Sequence, residues 1–205
     1  TANYYGMISL IDHNVGRILA ALREMGLEEN TLIFFTSDHG DHLGDHGLYM
    51  KGPQIYEGLL QVGLIMQGRG IPVGKVIHEP VSTLDIPATF YDYAGVDVPR
   101  ALQSTSLRPL IDNDDVTRDV AYCEWKLSKI RIGVDLELRT VRTKTHKLTL
   151  EETSGAGEMY DLVNDPWELT NVVDESAHAS MLAEMRLRLA DWSIETEDSK
   201  PVPLP

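Results

Sequence analysis

Cysteine is nearly missing: Cys123 is the single one in 205 residues. That excludes an intrachain disulfide framework and any metal site built from several thiolates. Cations are scarce as well, with 18 lysines and arginines against 32 aspartates and glutamates, a net charge of −14. A protein that neutralises nucleic-acid phosphates carries the opposite balance, so no nucleic-acid partner is expected. Attraction to an anionic membrane surface is disfavoured for the same reason. No run approaches the roughly 18 apolar residues that a membrane span needs, so no membrane partner is expected either. An anionic ligand must therefore be captured locally, by a metal or a few cations, against the field of the whole chain.

What is present is ordinary globular composition, 42% apolar, enough for one domain with a sizeable core or one domain and a small appendage. Ile8, Ile11, Val15, Ile18, Leu19 and Leu22 recur at spacings of three and four, which predicts an amphipathic helix stopped at Gly26. Thr31 to Phe35 is short, apolar and β-rich, and predicts a strand buried on both faces in a parallel sheet. Leu59 to Met66 reads as another buried strand, Val76 to Val81 as an extended segment, and Asp85 to Ala94 as a helix with Pro87 in its first turn. Val120 to Trp125, Leu138 to Leu150 and Met159 to Leu162 read as strands, and Ala177 to Trp192 as a closing helix. Trp125, Trp167 and Trp192 are read as packing residues. The tail from Lys200 to Pro205 reads as an extended strap. The pattern is α/β over residues 1–115, followed by a small antiparallel α+β subdomain over 116–205.

The anomaly lies between Ser37 and Gly58. Five glycines and Pro53 argue for loop, yet Asp38, His39, Asp41, His42, Asp45 and His46 crowd its first part. Carboxylate oxygens and imidazole nitrogens suit a divalent cation. Asp38 and His39 follow the apolar strand at its carboxyl end, where open α/β sheets place ligands. A set of His39, His42 and His46 would share a face only on a helix, which the glycines oppose. His42 alone reads as a surface residue or a support behind the site. His78, beside Glu79 and Pro80, is a further candidate from an adjacent strand end.

Thr36-Ser-Asp-His-Gly40, then Leu43-Gly-Asp-His46, then Lys51 thirteen positions after Asp38, resembles the second half of sulfatases of the alkaline-phosphatase superfamily. Tyr4 to Asp12 with Val15-Gly16 resembles the helix before that motif. Thr83-Leu-Asp-Ile-Pro-Ala-Thr-Phe90 with Ala94-Gly95, and Asn164-Asp-Pro-Trp-Glu-Leu-Thr-Asn171, are similar to later segments of the family. The resemblance implies an alkaline-phosphatase-like mixed or parallel sheet with flanking helices, then a small antiparallel sheet with a closing helix. It implies Asp38 and His39 as ligands of one divalent metal, calcium or manganese. Lys51 would contact the sulfate ester, with His46 as a further contact. The substrate would be a small anionic ester, with phosphonate and phosphate esters as alternatives because the Asp-His form occurs in their hydrolases too.

The family's nucleophile, a cysteine converted to formylglycine in a Cys-x-Pro-x-Arg motif, has no counterpart here. Cys123 stands in Tyr122-Cys-Glu-Trp-Lys126, without the proline or the arginine, and reads as a strand residue. The sequence is therefore expected to be the C-terminal half of an enzyme, partnered by an N-terminal half that brings formylglycine and more ligands. A homo-oligomer is compatible with the sequence, as is a stand-alone binding module without catalysis.

Overall fold

In a computed structural model, residues 2–196 are described, and they divide into two compact units. The first runs to Lys51 and resumes over Gly58–Lys75; the second comprises Gly52–Glu57 and the described chain from Val76 onward. The strap expected from Lys200 lies outside the described residues.

The first unit opens with the expected helix, α1 (Ala2–Glu24). Its end is closed by Leu27 N–H donating to the Leu22 carbonyl at 2.9 Å, and Arg23 forks onto Glu28 with two bonds of 2.9 Å. None of its residues is buried, so the apolar stripe that specifies it stays open. Strand β1 (Ile33–Thr36) carries the core of the apolar run Thr31 to Phe35. Its ladder differs from expectation: it pairs antiparallel with a later strand, Leu64–Gln67, Ile33 opposite Gln67 and Thr36 opposite Leu64. It is not buried on both faces either. Phe35 is exposed and the others half-buried, because this two-stranded sheet has no covering layer among the described residues. Leu59 to Met66 is likewise not one strand. A short helix, α2 (Glu57–Leu60), precedes the true strand β2 (Leu64–Gln67), and Leu59 commits its carbonyl to Gly40 N–H at 2.8 Å instead of to a ladder.

The second unit holds the core. Helix α3 (Asp85–Ala94) starts and stops where the sequence places it, with Pro87 in its first turn. At its stop, Gly95 takes φ 66° and donates its N–H to the Asp92 carbonyl, a left-handed cap that suits glycine. Asp85 is buried at its start, accepting Ser82 N–H (2.8 Å) and Thr105 N–H (3.2 Å) and pairing with Arg118 at 2.5 Å. Val76 to Val81 joins no ladder. Helix α4 (Arg108–Asp112) follows and buries Leu110 and Ile111.

Four antiparallel strands then form one sheet in chain order: β3 (Val120–Leu127), β4 (Leu136–Thr143), β5 (His146–Glu151) and β6 (Gly157–Asp161), with a single helical turn α5 (Lys129–Ile132) between the first two. The run Leu138 to Leu150 is thus a hairpin rather than one strand. Its turn lacks glycine and proline; instead the Thr143 hydroxyl accepts the N–H groups of Thr145 (3.3 Å) and His146 (3.0 Å). Register puts Val141 opposite Leu148 and Leu148 opposite Met159, a fully buried apolar row. Helix α6 (Ala179–Thr196) lays Met185 and Leu189 onto that row, and Trp192 stacks on Tyr122 at 4.9 Å. Each buried side chain of this size contributes about 1.5–3 kcal/mol. Trp167 does not pack as expected and is 70% exposed.

The opposite face of the sheet is polar but closed. Arg142, Lys147 and Tyr160 stand in the adjacent register row. Lys147, 1% exposed, pairs with buried Glu168 and lies 3.6 Å from Glu57, which Arg142 also binds at 3.2 Å. Glu168 in turn accepts the backbone N–H of Glu57 at 2.7 Å. Burial pushes the Glu168 carboxyl above its ordinary value, against the pull of Lys147.

Candidate active site

All three residues the sequence links by spacing, Asp38, His39 and Lys51, come together on the first unit. Beyond Thr36 the chain leaves β1 and turns. Ser37 Oγ donates to the His39 carbonyl (2.8 Å), and His39 N–H donates to Asp38 Oδ1 (3.1 Å). The Asp38 side chain is 84% exposed. Its carboxyl is held below the usual range, chiefly by that His39 N–H.

The His39 ring is oriented by its own backbone. Its Nδ1 lies 2.8 Å from the Gly40 carbonyl, an acceptor, so the proton sits on Nδ1 and Nε2 presents a lone pair. Lys51 Nζ donates to that Nε2 at 2.8 Å, and Asp38 Oδ2 lies 3.4 Å from it. A carboxylate oxygen and an imidazole nitrogen thus converge, and a cationic group already stands against them. The donor types fit a divalent cation. They fit as part of a coordination sphere: among the described residues no three His, Cys, Asp or Glu side chains gather into a metal site.

Gly40 makes the turn possible. A Cβ there would lie 2.0 Å from the Gly58 carbonyl oxygen, which is backbone and cannot swing aside. The sequence marks this glycine only as a helix breaker; nothing local reveals the second strand of chain pressed against it.

From Asp41 the chain makes a closed excursion to Lys51. His42 N–H donates to the Met50 carbonyl (3.0 Å) and Gly44 N–H to the Leu48 carbonyl (2.8 Å). His46 stands exposed on a short turn, Asp45–Gly47, with φ 55°; the bonds that join Asp38, His39 and Lys51 do not include it. Of the two readings of His42, surface residue or support behind the site, its burial overturns the first. The three-histidine alternative fails with the helix it needed, because these residues lie on turns. His78 is exposed on the second unit. Cys123 is half-buried in β3, and burial pushes its thiol up, so it lacks thiolate character.

The antiparallel sheets, their helices and this Asp-His-Lys loop define a mixed α/β protein of the alkaline-phosphatase-like hydrolase fold. The sulfatase family model matches residues 1–96 of the chain. The arylsulfatase of Clostridium perfringens is 35% identical over 193 residues, covering 90% of this chain and 38% of that protein. A solved structure in complex with its substrate D-glucosamine-2-N,6-O-disulfate superposes with a TM-score of 0.84 at 29% identity, over 95% of this chain and 40% of that one. The phosphonate monoester hydrolase of Agrobacterium radiobacter follows at 0.82 and 30% identity, over 94% and 41%. The chain therefore spans about two-fifths of the length of the proteins it matches.

Proposed function

We propose that this chain supplies part of the active site of a metal-dependent hydrolase of sulfate esters. The observation that carries the reading is the convergence of Lys51 Nζ (2.8 Å) and Asp38 Oδ2 (3.4 Å) on His39 Nε2, in the loop that follows β1. Asp38 and His39 Nε2 would hold one divalent cation, calcium or manganese. When bound, that ion supplies Lewis-acid polarisation of an ester oxygen. Lys51 offers an ammonium on a flexible stem to the oxygens of the transferring group or to the leaving oxygen. His46 is the further substrate contact. The nucleophile, a formylglycine, and the remaining ligands would come from a segment outside this sequence, since Cys123 has neither motif nor reactivity for the task.

Replacing Asp38 by alanine in the protein as its host makes it should abolish turnover of 4-nitrophenyl sulfate and lower the bound metal found by elemental analysis. Unchanged turnover would overturn the assignment. An intact mass well above that of 205 residues is expected for the native protein.

The phosphonate monoester hydrolase supports a second reading, because it is as similar in fold and identity as the structure solved with a sulfated sugar. Comparing kcat/KM on 4-nitrophenyl sulfate and on a nitrophenyl phosphonate monoester separates the two.

A further inference from the structure

The geometry points to Asp41 as the residue that positions Lys51. The inference rests on the reading of Asp38, His39 and Lys51 as the substrate-facing group, and deepens it.

Lys51 is exposed, and a lysine ammonium on its flexible stem has no intrinsic reason to stay in one place. Its position against His39 has to be set largely by its backbone. That backbone arrives by a difficult path: Leu43, Gly44, His46, Gly47 and Met50 all have left-handed φ, and three of those five are not glycine. L-residues leave such a conformation when nothing holds them. Backbone bonds hold the middle of the excursion, Gly44 N–H to the Leu48 carbonyl and Asp45 N–H to the His42 carbonyl, both at 2.8 Å, and one carboxylate oxygen ties its two ends. Asp41 Oδ1 accepts Leu43 N–H at 2.9 Å at the start of the excursion and Met50 N–H at 3.0 Å at its end. His42 N–H adds the bond to the Met50 carbonyl, 3.0 Å. Both peptide groups flanking Met50 are therefore fixed, and the second of them leads directly into Lys51. A charged acceptor makes such backbone bonds shorter and stronger than a neutral one.

The same carboxylate answers a question left by composition. Asp38, Asp41 and Asp45 all look like cation ligands in the sequence. In the structure Asp38 faces His39 and Lys51, whereas Asp41 is spent on the N–H groups of its own loop. Asp41 touches neither His39 nor the Lys51 ammonium through these bonds. It is a positioning residue, acting through the Met50–Lys51 backbone.

The test is a mutant cycle in the protein as its host makes it, with kcat and KM on 4-nitrophenyl sulfate and a thermal midpoint for each variant. D41A should lower kcat by about 10–100-fold with a smaller change in KM, since misplacing a catalytic group by ~1 Å costs on the order of 10²-fold. D41N should keep most of the activity, because its amide oxygen accepts the same two N–H groups. In a K51A background, D41A should cost nothing further, as two residues acting through one group do not add. A D41A loss that is as large without Lys51 as with it overturns the inference, as does D41N failing as badly as D41A. K51A without effect would instead overturn the reading of the site itself. Where D41A does not fold, D41E carries the same cycle: it keeps the charge and shifts the acceptor by one methylene, so it too should lose activity only when Lys51 is present.

Discussion

The two units invert each other. The second buries Val141, Leu148, Met159, Val172, Met185 and Leu189 in a continuous core between sheet and helix, and closes its polar face with buried ion pairs. The first buries Leu59 and His42 among its described residues and leaves a 23-residue helix with none buried, yet it carries Asp38, His39 and Lys51. One unit is specified by packing, the other by hydrogen bonds within a loop. Substitutions in the second should therefore read out as stability, and substitutions in the first as lost chemistry at nearly unchanged stability.

The largest effect expected from this contrast is at Lys147. Lys147→Met keeps the stem's volume and removes the charge, leaving Glu168 buried beside Glu57 with its cation gone. Breaking a buried pair from one side costs about 3–5 kcal/mol, which a shift in the denaturant midpoint would measure. Adding Glu168→Leu should return much of the loss, because the uncompensated charge, rather than the missing attraction, is the larger cost. A single variant as stable as the parent would show that the polar face is open to water and that the second unit does not depend on it.

Gly40→Ala is the matching experiment on the first unit. The new Cβ meets the Gly58 carbonyl at 2.0 Å and Leu59 Cα at 3.3 Å, so the loop that carries Asp38 and His39 has to move. Turnover of 4-nitrophenyl sulfate should fall by about 10²-fold, while the fluorescence of Trp192, stacked on Tyr122 in the other unit, should report an unchanged unfolding midpoint. Retained turnover would mean that the loop has freedom the close approach denies.

What the sequence makes legible is what local spacing encodes. The three-and-four periodicity of α1 and α6, the glycine stop of α3 and the apolar run of β1 all appear in the structure, although α6 runs four residues past the expected Trp192, to Thr196. That Asp38, His39 and Lys51 come together is legible as well, because a strand end, an Asp-His pair and a lysine at fixed spacing lie within one short stretch. What escapes is non-local or chemically unmarked. Pairing of β1 with β2 depends on chain thirty residues away, so its antiparallel sense leaves no trace in Thr31 to Phe35. The hairpin inside Leu138 to Leu150 is hidden because Thr143 supplies the turn chemistry usually signalled by glycine. Nothing beside Lys147 in the sequence marks it as buried, because its partners Glu57 and Glu168 arrive from distant segments. Trp167 reads as core by type, and the turn that carries it leaves it outside.

The smallest predicted effect concerns a carboxylate of the core unit that is controlled by its own turn. Glu151 accepts the Ser154 hydroxyl and the Ser154 N–H, both at 2.6 Å, and Glu137 N–H at 3.4 Å. These donors favour the ionised form and hold its value down to about 2 from an ordinary 4.5, the hydroxyl being the largest cause. A depressed folded value means a contribution fully present above about pH 4.5 and lost as the pH falls toward 2. Ser154→Ala removes the hydroxyl and keeps the backbone donor, so Glu151 should titrate part of the way back toward 4.5 and acid should remove less stability in that window. Carboxylate carbon shifts followed by NMR measure it directly. A Glu151 titration unmoved by Ser154→Ala would assign the depression to backbone N–H groups alone. The turn would then be held by the same kind of donor that fixes Asp41 in the first unit, and the contrast between the two units would narrow at that point.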